Sequence, residues 1–556
     1  MKIAIAQLNF RIADFEGNLK LMKDAIDKAV KDYADIIVFS ELSVCGYPPL
    51  DLLEQPDFID CCEASIRQLT DYTTEIAVIV GAPAINPNEN GKKLCNAAYL
   101  LADHKVQAVR YKALLPTYDV FDEYRYFEPN FDFNIIEFKG LKIALTICED
   151  IWDEQPVENT FSRTRLYPVS PMDELIRQHP DIMVNISASP FAANRIHVRE
   201  EVMRHNVIKY GIPLFYCNQV GANTELIFDG SSMVLDRHGK IADRIPPFVS
   251  EVRSYLVENL INPADSRETN NGINVSDEYR VNLMHNALVF GVKDYFSKMG
   301  FKRAVLGLSG GIDSALVLTL AVEAIGRGNV LPILMPSRYS SDHSITDSIH
   351  LADNLGVEWT RVDIDPMVIS FLEQLKPEFK GMPEDVTEEN IQARIRGVVL
   401  MAVANKQNMI LLNTSNKSEA AVGYGTLYGD MNGGLSVLGD VYKTDVYAIA
   451  RSINKNREII PQNIIVKAPS AELRPGQKDS DSLPEYDVLD PVLFRYIEMK
   501  ETLAEITAAG FGKNVVEKVI SLVNRSEYKR FQSPPILRVS SKAFGLGRRM
   551  PIVAKF

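Results

Sequence analysis

At 556 residues the chain is longer than the ~250–300 residues over which a single hydrophobic core keeps growing, so two or more domains are expected. A composition of 46% hydrophobic and 24% charged residues, with no low-complexity tract, excludes a disordered or fibrous protein, and no apolar run approaches the ~20 residues that cross a bilayer. The formal net charge of −13 leaves no basic footprint for a nucleic-acid polymer, although a few local donors can still hold a small nucleotide.

The opening MKIAIAQLNF has one lysine and an apolar run too short for a secretory segment, with no cleavage site after it; a cytoplasmic protein is expected. From residue 2 to about 260, short β-branched runs alternate with helical stretches. KIAIAQLN, DIIVFSE, IAVIVGAP, LKIALTICED, DIMVNISAS and PLFYCNQVGA read as buried strands, and 17-GNLKLMKDAIDKAVKD-32 has helical spacing. Two hairpin-like pairs, 94–111 and 226–245, interrupt the alternation. The pattern predicts a mixed α/β domain over 1–260, its sheets packed on each other and carrying helices on their other faces. All six cysteines fall in this half without a C-x-x-C spacing, which argues against a zinc site or a disulfide framework.

Residues 258-ENLINPADSRETNNGINVSD-277 are polar and weakly periodic, so a linker is expected over 261–275. Strand–helix units then repeat. AVLGLSG leads to a helix from about 311, VLPILMPS to one from about 341 and TRVDIDP to one from about 367, while MILLNTSN ends at another helix start. A parallel, doubly wound sheet over 276–556 is expected, with ligands at the carboxyl ends of its strands.

In 305-VLGLSGGIDSA-315 a strand-like run enters a two-glycine turn and a helix-like run leaves it. That is the layout of a loop whose free N–H groups and helix N-terminus face an anion. A Walker A loop needs Lys-Ser/Thr after its glycines, and here Ile312-Asp313-Ser314 follows instead. Ser309 and Ser314 offer hydroxyls, and Asp313 beside a phosphate implies an intervening Mg²⁺. A glycine turn with an Asp/Ser helix cap is the plainer alternative; the position between a buried strand and a helix favours function.

The stretch resembles the PP-loop of the N-type ATP pyrophosphatases, which cleave ATP between the α- and β-phosphates. The resemblance implies the adenine-nucleotide α-hydrolase fold and ATP contacts from Gly307, Leu308, Ser309, Gly310, Gly311, Ile312, Asp313 and Ser314. Further on, 413-NTSNKSEAAVGYGTLYGDMNGGLSVLGDVYKTDV-446 and 527-EYKRFQSPP-535 are similar to the glutamine-dependent NAD synthetases, over nearly all of 276–556. By this resemblance Thr414 contacts ATP, and Asn390, Glu419, Lys443 and Lys529 hold nicotinic acid adenine dinucleotide (deamido-NAD). Asp430 lines the site, and Asp313 and Glu419 hold Mg²⁺. Taken singly, Glu419 reads as a solvated helix charge and Lys443 as a surface lysine; within one dense motif function is favoured.

Cys148 ends the β-branched run in 143-IALTICED-150. A free cysteine is usually buried and inert, and a nucleophilic one needs a base and a donor for the oxyanion. Glu41 ends DIIVFSE and Lys112 follows the first hairpin, both at strand ends. None of the eight His lies in a motif aimed at Cys148, which weighs against a Cys–His dyad. A carboxylate in an apolar pocket can act as the base instead.

Glu, Lys and Cys in that order resemble the nitrilase superfamily of carbon–nitrogen hydrolases, over residues 1 to about 260, with the α-β-β-α sandwich that this implies. In its glutaminase members the nucleophile forms a glutamyl thioester and frees ammonia. The resemblance implies that Glu41, Lys112, Cys148 and Glu123 are catalytic and that Tyr118, Ser189 and Arg195 bind glutamine. Many relatives carry PNY where this chain has Pro116-Thr117-Tyr118, so a contact from Thr117 is not carried over.

A glutaminase ahead of such a synthetase is the arrangement of glutamine-dependent NAD synthetases. It implies ammonia passed internally, ATP cleaved to AMP and pyrophosphate, and a homo-oligomer through the synthetase domains. The alternatives are another PP-loop amidotransferase or an amidase fused to a nucleotide-sensing domain. Asparagine synthetases place a catalytic cysteine directly after the initiator methionine, where this chain has Lys2. A tRNA-modifying enzyme is disfavoured by the acidic balance.

Overall fold

The computed structural model describes residues 1–154, 166–263 and 276–555, and the chain divides into two compact units, Met1–Val275 and Ser276–Phe556. Residues 264–275, most of the stretch read as a linker, lie outside the described residues.

In the first unit β1 (Lys2–Gln7), α1 (Phe15–Lys31), β2 (Ile36–Val38), α2 (Pro56–Asp71) and β3 (Ala77–Ile85) form a β-α-β-α-β run with parallel strands. The expected hairpin follows as β4 (Leu94–Ala102) and β5 (Lys105–Tyr111). Next come β6 (Ile136–Phe138), β7 (Leu141–Ile147), α3 (Pro171–Leu175), β8 (Ile182–Ser187), α4 (Ile196–Tyr210) and β9 (Leu214–Asn218), with β7, β8 and β9 parallel. After β10 (Val220–Asn223), β11 (Leu226–Asp229), β12 (Met233–Leu235) and β13 (Ile241–Arg244), β14 (Glu251–Leu256) returns antiparallel to β1, and α5 (Val257–Ile261) ends the described part. Two six-stranded sheets result, ordered β14-β1-β2-β3-β4-β5 and β13-β12-β9-β8-β7-β6.

Stretch 226–245 is not one hairpin. β11 pairs with β10 as a separate ribbon, while β12 pairs with β13 and β9 in the second sheet. The chain changes sheets at Gly230 and Ser231, whose φ values are +70° and +51°. Only glycine suits the first of these, because a Cβ at Gly230 would sit 2.2 Å from the Gln7 side chain.

Period-two alternation along the strands decides the layers. Ile3 and Ile5 of β1 meet Ile143, Leu145, Ile147 and Val184 between the sheets, whereas Ala4 and Ala6 pack with Met22 and Ile26 of α1 and Leu69 of α2. Across the other sheet, Ala144, Met183 and Leu214 pack on Val202, Met203 and Val207 of α4. The unit is therefore the α-β-β-α sandwich expected from the sequence.

The second unit opens with α6 (Asp277–Met299), capped by the Ser276 hydroxyl accepting the Tyr279 N–H. It continues through β15 (Ala304–Gly307), α7 (Ile312–Ile325), β16 (Val330–Leu334), α8 (Asp342–Leu355), β17 (Thr360–Arg361), α9 (Asp365–Phe379) and α10 (Val386–Gln407). β18 (Ile410–Asn413), α11 (Lys417–Val422), β19 (Leu435–Ser436) and α12 (Lys443–Ile453) follow. The sheet order is β17-β16-β15-β18-β19, parallel throughout. The chain steps outward from β15 and then restarts on its other side at β18, so the topological switch point lies between those strands. α9 and α10 cover the face carrying Val305, Ile333 and Leu411, and α7 packs on β15 and β16 beside α6 and α12. Among the described residues no helix is long and apolar enough to cross a membrane.

Candidate active sites

Cys148 stands directly after β7, at the first residue of a short 3₁₀ turn, Cys148–Ile151. Its φ of +44° is left-handed, a conformation that costs a non-glycine residue about 1–3 kcal/mol and persists only where the surroundings impose it. Asp150 is part of what imposes it. Its carboxylate accepts the Ile147 N–H at 3.0 Å and the Ala113 and Leu114 N–H groups at 2.9 Å each, tying the turn to the segment after Lys112. Burial pushes the Asp150 carboxyl up to about 7 against the pull of those donors.

Around the thiol lies a fully buried ion cluster. The Lys112 ammonium donates to Glu41 Oε1 at 2.7 Å and to Glu123 Oε1 and Oε2 at 2.9 and 2.8 Å, which occupies all three of its N–H bonds. Burial pulls the Lys112 pKa down, but Glu123 and Glu41 hold it well above the usual lysine range. Glu41 Oε2 accepts the Ala188 N–H at 3.0 Å, and the Tyr47 hydroxyl donates to Glu123 at 2.8 Å. Burial also raises Glu123, opposed by Lys112 and reinforced by Glu41. Burial pushes the Cys148 thiol well up; the Glu41 charge adds to this and Lys112 opposes it. Burial thus favours the neutral thiol over the thiolate, and a nucleophilic role for this sulfur would need a base at hand.

Tyr118 donates to Glu149 Oε1 at 2.7 Å, and Tyr167 to the same oxygen at 2.8 Å. Burial pushes the Glu149 carboxyl up to about 7 despite both donors. Ser189 is partly buried, its N–H on Asn218 Oδ1 at 2.8 Å. Arg195 lies exposed at the N-terminus of α4 and makes no ion pair among the described residues. Sequence reasoning missed Tyr47, Asn96, Glu149 and Asp150. For the last two, the residues directly after Cys148 in ICED, the signal was adjacency to the candidate nucleophile.

In the second unit the loop 308–311 leaves β15 at the switch point and feeds α7. Gly310 has φ +77°, and a Cβ there would lie 2.4 Å from the Ser344 carbonyl oxygen. Within the loop, Ser309 Oγ lies 3.1 Å from Ser314 Oγ and accepts the Gly311 N–H at 3.2 Å. Residues 307–314 line one cavity together with Thr414, Glu419, Asp430 and Lys443, and with Arg396 and Lys467, which the sequence did not single out. Asn390 and Lys529 are not among its lining residues. Asn390 accepts from the Thr426 hydroxyl at 2.7 Å, and Lys529 donates to the Gly423 and Gly425 carbonyls at 2.8 and 2.7 Å, so both hold the 423–430 segment.

Lys443 opens α12 with its ammonium between Asp313 and Glu419, paired to the first and 3.2 Å from the second. Burial pulls Lys443 down, yet the two carboxylates hold it above the usual range, while burial pushes Glu419 up to about 8. Asn416 donates to Asp313 at 2.9 Å. Among the described residues no three His, Cys, Asp or Glu side chains gather to cage a metal. Two hard carboxylates converging on one cation, beside a loop shaped for phosphate, still fit Mg²⁺, which binds one or two carboxylates and takes its remaining ligands from phosphate and water.

The family model of carbon–nitrogen hydrolases matches residues 2–258, and that of NAD synthase matches residues 284–533. Fold and sites together therefore define a carbon–nitrogen hydrolase joined to an NAD synthase in one chain. A glutamine-dependent NAD(+) synthetase from Synechocystis is 44% identical over 100% of this chain and 99% of its own length; one from Thermotoga maritima is 40% identical over 100% and 99%. The solved structure of a glutamine-dependent NAD⁺ synthetase from Acinetobacter baumannii in complex with ADP matches 99% of this chain and 98% of its own, at 37% identity and a TM-score of 0.75. The chain belongs to the glutamine-dependent NAD(+) synthetases.

Proposed function

We propose that this protein converts deamido-NAD to NAD with nitrogen from glutamine, cleaving ATP to AMP and pyrophosphate. In the first unit Glu41 takes the Cys148 proton as the sulfur attacks the side-chain amide of glutamine. Lys112 supplies the countercharge that lets a carboxylate and a developing thiolate coexist in a dry pocket. The same proton passes to the leaving nitrogen, ammonia departs, and water hydrolyses the thioester to glutamate. Glu123 orients Lys112, and Tyr118, Ser189 and Arg195 bind the amino-acid end of glutamine.

In the second unit the 307–314 loop and Thr414 bind ATP. Deamido-NAD is held by Glu419 and Lys443 in the cavity and by Asn390 and Lys529 at the 423–430 segment that borders it; its carboxylate attacks the α-phosphate, and ammonia displaces AMP. Asp313 and Glu419 would hold Mg²⁺, which supplies charge neutralisation at the phosphates. The reaction is placed in the cytoplasm, consistent with six free cysteines, and the protein is a homo-oligomer through its synthetase units.

The observation that carries this reading is that one chain holds a buried thiol beside a Glu–Lys–Glu cluster and also a serine–glycine loop opening into a cavity. Incubation with ATP, Mg²⁺, glutamine and deamido-NAD is expected to yield NAD, AMP and pyrophosphate. In Cys148→Ala, glutamine-driven synthesis stops while ammonia-driven synthesis survives. Production of ADP, or loss of both activities in a folded Cys148→Ala protein, refutes the reading.

A further inference from the structure

We propose that Asn96 is a positioning residue for the base Glu41, its side-chain amide fixing the carboxylate that receives the Cys148 proton. The proposal rests on the glutaminase reading above. Asn96 lies on β4, fully buried, and its carbonyl oxygen accepts the Lys112 N–H at 2.8 Å, so the strand register sets it against the catalytic lysine. Its Nδ2 donates to Glu41 Oε1 at 2.7 Å and approaches Glu123 Oε2 at 3.4 Å. One side chain thus touches both carboxylates that Lys112 binds, and its backbone holds Lys112 itself.

The amide orientation follows from chemistry. Both neighbours are carboxylates, which only accept, so the NH₂ must face them and Oδ1 must face away. That oxygen is buried and accepts no hydrogen bond among the described residues. An unpaired buried acceptor costs stability, and an apolar residue would fill the same space without that cost. The donor function at Glu41 accounts for the polar side chain.

The geometry also explains why a donor is needed. Glu41 Oε1 shares the Lys112 ammonium with Glu123, and without Asn96 the Glu41 carboxylate keeps, among the described residues, only Lys112 and the Ala188 N–H. It could then swing toward the lysine and away from the sulfur. Among the described residues the titratable and charged groups that interact with it are Glu123, Lys112, Tyr47 and Cys148, so a change at position 96 must also move the pH profile.

The test uses the full chain. Asn96→Ala is expected to lower glutaminase kcat about 10- to 100-fold, as loss of a charge-assisted hydrogen bond does, with KM for glutamine within about threefold. The pH profile of kcat/KM shifts, and ammonia-driven synthesis is unchanged. Isosteric Asn96→Asp adds a third carboxyl that donates only when protonated, so its activity relative to the native protein rises as pH falls from about 8 to 6. A kcat within about twofold of native in Asn96→Ala overturns the proposal. So does equal loss in both variants with an unmoved pH profile, or parallel loss of ammonia-driven synthesis. If Asn96→Ala does not fold, Asn96→Asp decides alone. Glutaminase surviving in Cys148→Ala overturns the underlying reading, and the proposal with it.

Discussion

Glu149 is wholly buried beside Cys148, and its carboxyl is pushed from 4.5 to about 7 by that burial. Between those values the native protein binds more protons than the unfolded chain, so stability falls as pH rises through the window and levels off above it. Glu149→Gln removes this penalty. Its stability relative to the native protein is expected to rise from pH 5 to pH 8 by on the order of 1–3 kcal/mol, read by urea unfolding at each pH. Asp150 titrates in the same direction and range, but it is present in both proteins and cancels. A difference that stays flat with pH would mean that Glu149 ionises as it does in water. At Lys112 it is the effect of removing the side chain that is reversed, because there the loss destabilises. Lys112→Met leaves Glu41 and Glu123 facing each other in the dark of the core and should cost about 3–5 kcal/mol, part of it recovered by adding Glu123→Gln. Additive losses in that pair would show the two residues to be uncoupled. Glu41, Lys112 and Cys148 could be found in the sequence because each ends or follows a β-branched run. Tyr47 and Asn96 could not, because their contacts depend on which distant strands lie side by side.

The element proposed to carry the nucleotide chemistry is the step from β15 through residues 308–311 into α7. Its conformation is fixed by Gly310, whose missing Cβ lets the turn approach the Ser344 carbonyl at the N-terminal turn of α8. Gly310→Ala combines a strained φ of +77° with a contact of 2.4 Å to backbone, so the loop must move away from α8. Ammonia-driven synthesis is expected to fall at least about 100-fold, while glutaminase activity, housed in the other unit, changes less than about twofold. Near-native synthesis in this variant would show that the turn is not the phosphate cradle. This step was readable because strand, glycines and helix are contiguous. The 226–245 stretch was not, since a turn that changes sheets looks in sequence like one that closes a hairpin. Only the φ values at Gly230 and Ser231 and the pairing of β12 with β9 separate the two. The sheet order around β15 was likewise out of reach, because parallel pairing joins strands more than a hundred residues apart, such as Ala304 and Ile410.

Across the whole molecule, the two proposed sites draw on different residues, with the thiol cluster wholly before Val275 and the loop cavity wholly after Ser276. Their only shared requirement is ammonia, which is nucleophilic as NH₃ and inert once protonated. A mixture of Cys148→Ala and Gly310→Ala proteins therefore contains one working synthetase and one working glutaminase, with no single chain holding both. Given glutamine, deamido-NAD and ATP, the mixture should make NAD after a lag, as ammonia accumulates in solution. Its early rate should stay below about a tenth of the native rate, because nitrogen released into bulk lacks the raised local supply that a shared chain provides. The deficit should shrink as pH rises and more of the dissolved nitrogen is unprotonated, and added ammonium should abolish the lag. A mixture that matched the native protein from the first minute would mean that nitrogen passes through solvent in the native protein too, leaving the joining of the two units without a catalytic purpose.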